Sequence, residues 1–258
     1  MCRRTSPGCP ATDRGQAKMQ GMDFAPMPRR QQGLLSAALS QVSDDVANIE
    51  MQREPHAQFW DEWNAKAARE SGPLWVALGD SSSQGVGAPD PMDGWIPQMI
   101  DLLRTKTGEQ WRVINLSITG AQYDDIAFWQ LDRVRALRKD GQVPQLMSLI
   151  AGANNLMAPN SWPKAFGHLD NVLASMPEGR SVVGRVGSSS LLNSMMARRF
   201  NAKIEAAAAK KDFQLFWPWA WPSSDGLAAD RWHPGPKGYG YMVDLIWPRI
   251  ANVIDVEA

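Results

Sequence analysis

Leu74-Trp75-Val76-Ala77-Leu78-Gly79-Asp80-Ser81-Ser82-Ser83-Gln84-Gly85 is the stretch on which the fold turns. Five apolar residues run without a polar interruption and then break into a Gly/Asp/Ser-rich turn. A strand buried on both faces needs such a continuous run, whereas a half-exposed strand alternates. A serine at a strand-to-helix turn presents its hydroxyl at the carboxyl edge of the sheet. Its backbone N–H also lies at a helix start, where unpaired N–H groups favour negative charge. Taken alone, a turn of this composition reads first as a plain connection.

The pattern repeats outward from this stretch. Strand-length apolar runs cover Leu74–Gly79, Arg112–Ile118, Leu146–Ala151, Ser181–Val186 and Phe213–Trp217. Helical periodicity falls between them, at about 94–107, 122–139, 162–176, 193–211 and 236–252. Strands alternating with helices predict an α/β protein with a parallel sheet covered on both faces. Such sheets bind ligands beyond the carboxyl ends of their strands, near the point where strand order reverses. Functional residues are therefore expected just after each strand.

Upstream the pattern is different. Residues 1–33 are rich in Arg, Gln, Pro and Gly without a period, and are expected to form a disordered tail. Residues 34–71 read as a helical extension of the domain at 72–258. Within it, Leu35, Leu39, Val42, Val46 and Ile49 recur at spacings of four and three, predicting one amphipathic helix over 34–52. A second helix is expected from Pro55, carrying Phe59, Trp60 and Trp63.

Composition excludes several classes. The 258 residues carry 27 Lys+Arg against 27 Asp+Glu. Zero net charge argues against a nucleic-acid partner, which a basic excess would serve. No window approaches the roughly 18–20 apolar residues of a membrane span. Both cysteines, Cys2 and Cys9, precede the predicted core, so no disulfide framework is expected. No apolar run of signal-peptide length follows Arg3 and Arg4, and the protein reads as cytoplasmic.

Residues able to carry chemistry stand just after the predicted strands. Ser81 follows the first. Gly120 follows the second, in Asn115-Leu116-Ser117-Ile118-Thr119-Gly120-Ala121, and serves either a close backbone approach or an ordinary turn. Asn154 follows the third, in Gly152-Ala153-Asn154-Asn155, as an oxyanion donor or a helix cap. Of three histidines, His233 stands in a Gly/Pro-bounded loop before the last helix, with Asp230 three residues back. One turn brings the pair together, so Asp230 can hold Nδ1–H while Nε2 takes a serine proton. Together these residues supply a nucleophile, oxyanion donors and a base.

This constellation resembles the SGNH, or GDSL-type, hydrolase superfamily, whose serine, glycine, asparagine and histidine occur in that chain order. The blocks are Gly79-Asp80-Ser81-Ser82-Ser83-Gln84-Gly85, Gly120, Gly152-Ala153-Asn154-Asn155 and Asp230-Arg231-Trp232-His233-Pro234. Two positions depart from the pattern: Ser82 replaces a usual Leu or Ile, and Asn155 a usual Asp. The resemblance covers roughly residues 73–252. It implies a three-layer α/β/α sandwich on a five-stranded parallel sheet of flavodoxin type. It further implies Ser81, Asp230 and His233 as a catalytic triad, with Ser81, Gly120 and Asn154 forming the oxyanion hole. No metal or organic cofactor is required.

The expected activity is hydrolysis of small acyl esters. An acyltransferase with the same triad and a non-catalytic binding protein on the same fold are the alternatives. Among the twelve tryptophans, Trp75, Trp111 and Trp247 read as packing. Trp162, Trp232 and the cluster Trp217, Trp219 and Trp221 read either as packing or as a substrate rim, with Trp162 and Trp232 the candidate substrate contacts. The loop Ala88–Gly94 either shapes an acyl pocket or merely connects.

Overall fold

A computed structural model describes residues 24–187, 191–220 and 224–257. Three short helices come first: α1 (Leu34–Ser40), α2 (Asp44–Glu50) and α3 (Arg53–Ala67). Then follow β1 (Leu74–Gly79), α4 (Ser81–Gln84), α5 (Trp95–Thr107) and β2 (Arg112–Asn115). Next come α6 (Tyr123–Asp125), a π-helical turn (Ile126–Gln130), α7 (Leu131–Lys139) and β3 (Leu146–Ile150). The chain closes with α8 (Ala153–Leu156), α9 (Trp162–Ser175), β4 (Ser181–Gly184), α10 (Leu191–Lys211), β5 (Gln214–Phe216) and α11 (Pro236–Ile254).

The five strands form one parallel sheet in the order β2-β1-β3-β4-β5. Strand alternation divides the core into two layers. Val76 and Leu78 of β1, Ile114, Met147, Leu149 and Val183 meet Leu131, Val134, Leu169, Phe200 and Ile204 on one face. Trp75 and Ala77 of β1, Val113, Ile150 and Val182 meet Ile96, Met99, Leu103, Met242, Ile246 and Ile250 on the other. The protein is a three-layer α/β/α sandwich on a five-stranded parallel sheet, the architecture that the resemblance implies. No helix among the described residues is long and apolar enough to cross a membrane.

The predicted strands overrun the observed ones. β2 ends at Asn115, yet Leu116 N donates to Ala77 O at 2.9 Å and Ile118 N to Gly79 O at 3.2 Å, so hydrogen bonding to β1 continues along the predicted run. Past Gly184, Arg185 N still donates to Phe216 O at 2.8 Å, and buried Val186 then turns to Asn201. The predicted helix over 34–52 is two helices. Ser43 ends the first stretch by capping α2, its Oγ accepting from Val46 N at 3.4 Å. Leu39 and Val42, central to the predicted apolar seam, are 44% and 81% exposed. Ile49 is buried.

Of the expected tail, residues 24–33 are described, and they are packed on the domain. Residues 24–33 have no regular structure, yet Phe24 and Met27 are buried in the core layer of α7 and α9. Met27 N donates to Asp61 Oδ1 at 2.9 Å, and Arg30 pairs with Asp125. Apolar anchors and ion pairs therefore bind this strap to the domain. Residues 1–23, with both cysteines, lie outside the described residues.

Helix α3 closes the β2 edge of the sheet, where unpaired backbone groups would otherwise face outward. The Asn64 side chain donates to Asn115 O at 2.7 Å and accepts from Asn115 N at 2.8 Å. Trp63 Nε1 donates to Val113 O at 3.2 Å.

Candidate active site

The nucleophile turn begins where β1 runs out of room. A Cβ on Gly79 would stand 2.5 Å from Ser83 Oγ and 2.6 Å from Ile150 O, so only glycine fits. Gln130 pins the same strand end, accepting from Gly79 N at 2.9 Å and donating to Gly79 O at 2.8 Å. Asp80 then caps α4, a role for which Asp is among the best residues. Its Oδ1 accepts from Ser82 N and Ser82 Oγ, both at 3.1 Å. Ser81 opens α4.

Ties behind the turn fix its position. Gln84 crosses to the loop after β2, donating to Ser117 O at 2.9 Å and accepting from Thr119 N at 3.1 Å. Trp60 of α3 donates to Gln84 O at 3.0 Å. Gly120 follows Thr119 in the left-handed region, at φ 80°. The space where its Cβ would lie faces the strap, with Arg30 Cδ at 3.5 Å.

The His233 loop reaches Ser81 from the opposite end of the chain. An antiparallel bridge between Leu227 and Pro234 closes it, and Ala228 N donates to His233 O at 2.8 Å. Gly87 makes the approach possible, since a Cβ there would stand 2.2 Å from Pro234 O. Asp230 Oδ1 accepts from Trp232 N at 3.0 Å and His233 N at 3.1 Å. This tight turn holds Arg231 at φ 58°, a left-handed conformation uncommon for a residue other than glycine.

Within that frame, His233 Nδ1 lies 2.6 Å from Asp230 Oδ2 and Nε2 lies 2.9 Å from Ser81 Oγ. The structure thus brings together three residues separated by up to 152 positions. Burial alone pushes the Asp230 carboxyl up. The hydrogen bond and charge of His233 and the two backbone N–H groups outweigh it and hold Asp230 below its ordinary value. Asp80 differs: burial pushes it up to about 6, although the Ser82 hydrogen bonds draw it down.

Asn154 lies at the same strand edge, its Nδ2 donating to Ala121 O at 3.1 Å and to Asp80 Oδ2 at 3.4 Å. That contact joins the Gly120 turn, the Asp80 cap and α8 around Ser81. Asn155 is buried, accepts from Tyr123 N at 3.0 Å and donates to Ser161 Oγ at 3.2 Å.

A 530 Å³ cavity opens from Ser81, Asn154 and His233. Its walls include Leu156, Val186, Trp217, Trp219 and Trp232. Trp232 lines this cavity. Trp162 is a correction: it lies outside the lining and packs on the core, its indole N–H donating to Asn155 O at 2.7 Å. Trp221 falls outside the described residues. No residue of Ala88–Gly94 lines the cavity, so that loop connects. Sequence reading missed the contribution of α10, whose Asn193, Ser194, Ala197, Arg198 and Asn201 face the cavity. The available signal was a polar stripe at helical spacing in a helix that also buries Phe200 and Ile204.

Solved structures share this architecture. TesA superposes with a TM-score of 0.58 at 19% identity, covering 70% of this chain and 99% of that one. The psychrotrophic esterase EstA from a Pseudoalteromonas species gives 0.56 at 18%, covering 70% and 98%. Axe2, an acetylxylan esterase from Geobacillus stearothermophilus, gives 0.54 at 16%, covering 70% and 94%. At these identities the likeness establishes the fold alone. No curated protein matches the chain in sequence. The sequence itself supplies the family: residues 77–241 match the GDSL-like lipase/acylhydrolase family, and the chain belongs to it.

Proposed function

We propose that the chain is a serine esterase, hydrolysing carboxylic esters through Ser81, His233 and Asp230 by way of an acyl-enzyme. The observation that carries this reading is the continuous Ser81–His233–Asp230 contact, 2.9 and 2.6 Å, at the mouth of a largely apolar cavity. Family membership supports it, as does a neighbour described as an esterase inhibited by monoethylphosphonate.

His233 Nε2 accepts the Ser81 proton as Oγ attacks the ester carbonyl carbon. The carbonyl π electrons move to oxygen, where the Ser81 N–H, the Gly120 N–H and the Asn154 amide are the donors. Each such donor is typically worth about 2.7–4 kcal/mol in the transition state. The imidazolium, stabilised by ionised Asp230, returns its proton to the leaving alkoxide oxygen and the alcohol departs. Water then attacks the acyl-enzyme, giving a proton to His233, and collapse releases the acid and restores Ser81. The sequence requires no metal or organic cofactor for these steps.

Hydrolysis of p-nitrophenyl esters from acetate to palmitate, with fluorophosphonate labelling followed by intact mass, tests the reading. Turnover and labelling are both expected, and both should vanish in a folded Ser81→Ala protein. Labelling without turnover would indicate an acyltransferase awaiting its acceptor. Neither signal in folded wild-type protein would overturn the assignment in favour of a binding protein.

A further inference from the structure

The cavity-facing stripe of α10 is polar where a helix packed on a core would be apolar. Two of its members have opposite situations. Asn201 is committed to the wall: it accepts from Val186 N at 2.8 Å and donates to Val186 O at 3.0 Å. Gly187, next along, leaves room for Trp219, whose Cδ1 lies 2.9 Å from where a Cβ would be. The wall opposite α10 is thus built against the helix itself.

Arg198, one turn before Asn201, is uncommitted. Among the described residues it makes no hydrogen bond, ion pair or ring contact, whereas Arg185 pairs with Glu205 and lies 5.4 Å from the Trp217 ring. Among the described residues Arg198 is also the only lysine or arginine lining the cavity. The only acid among them there, Asp80, is 3% exposed and engaged by Ser82 and Asn154. Arg198 is exposed, and its guanidinium presents several donors in a fixed plane matched to carboxylate or phosphate oxygens.

We infer that Arg198 is a specificity-determining residue, selecting esters that carry a carboxylate or phosphate remote from the scissile bond. This rests on the esterase reading, which it deepens by naming a substrate class.

Matched pairs test it. p-Nitrophenyl hexanoate against mono-p-nitrophenyl adipate places the charge on the acyl side. Hexyl acetate against 6-acetoxyhexanoate places it on the alcohol side, and 6-acetoxyhexyl phosphate separates phosphate from carboxylate. Wild-type enzyme should favour the anionic member of at least one pair by about tenfold in kcat/KM. Arg198→Gln should bring that ratio to about one, Arg198→Lys should keep part of it, and 0.5 M sodium chloride should shrink it. A wild-type preference for the neutral member throughout, or an anionic preference that survives Arg198→Gln, would overturn the inference. Calorimetric titration of Ser81→Ala protein with 6-acetoxyhexanoate and hexyl acetate reads the same selectivity without turnover. Anion binding lost with Arg198, in a protein that turns over no ester, would retain the anion site and discard the esterase. Equal binding of the two ligands would discard the site.

Discussion

The two sides of the Ser81 turn differ in how their polar groups are used. Behind it, toward α3, groups are fixed by permanent partners: Gln84 holds Ser117 and Thr119, Trp60 holds Gln84, and Asn64 satisfies Asn115 in both directions. In front, toward the cavity, Asn154 is held by Ala121 O at 3.1 Å and Asp80 Oδ2 at 3.4 Å, but Arg198 makes no contact of this kind among the described residues. The rear fixes the nucleophile before any ligand arrives, and the front keeps the Arg198 donors for a ligand to use. Such preorganisation avoids reordering the site at the moment of reaction. It follows that rear variants should cost stability and front variants should cost turnover.

The strongest test of that division is Asp230→Asn. Asparagine keeps the shape of the turn but removes the charge that supports the imidazolium and can impose the wrong tautomer. A drop of about 10⁴-fold in kcat is expected, with the melting temperature little changed. Wild-type kcat in this variant would mean that another group orients His233.

Asp80 lies on the boundary and should affect stability through pH. Its carboxyl has an ordinary value of 3.8 and is pushed up to about 6 in the folded chain. The folded state therefore holds a proton that the unfolded state has released between those values, so stability falls as pH rises through this window. Below pH 3.8 the contribution is fully present, and above 6 it is lost. Asp80→Asn, which cannot ionise, should gain up to about 3 kcal/mol over wild type by pH 8, and nothing below the window. Denaturant unfolding of both proteins across this range checks the sign, and a constant difference would rule out titration of Asp80.

Much of the front was legible in the sequence, and most of the rear was not. The strands announce themselves because a doubly covered sheet forces continuous apolar runs. The His233 loop does so because Gly and Pro bound it and Asp230 stands one turn away. The rear partners are Gln, Asn and Trp side chains reaching across long sequence separations, such as Gln130 to Gly79 and Asn64 to Asn115, and no local pattern marks them. The polar stripe of α10 was hidden for another reason: facing a cavity, it has the same period as a helix facing solvent. The 34–52 periodicity misled because apolar spacing makes a face only where something packs on it, and Val42 meets solvent.

Asn64→Ala breaks the comparison from the rear. It leaves the Asn115 N–H and C=O without their side-chain partner at a buried edge, which should cost about 2 kcal/mol. The expected result is a lower urea midpoint with kcat/KM unchanged in the folded enzyme. A large fall in kcat/KM at unaltered stability would show that this edge acts on the catalytic turn directly.

Trp162→Phe is the smallest and most discriminating test. Trp162 stands only eight positions after Asn154, yet its indole N–H is spent on the Asn155 carbonyl and its ring on the core. Phenylalanine keeps an aromatic ring but loses the five-membered half of the indole together with its N–H; the hydrogen bond accounts for about 1 kcal/mol, or roughly 2–4 °C in melting temperature for a domain of this size. The acyl chain-length profile should not move, because Trp162 does not line the cavity. Trp232→Phe should do the reverse, shifting KM at nearly constant melting temperature, since Trp232 is 42% exposed at the rim beside His233. If Trp162→Phe altered the chain-length profile as Trp232→Phe does, the boundary between packing and substrate contact would have to be redrawn through α9.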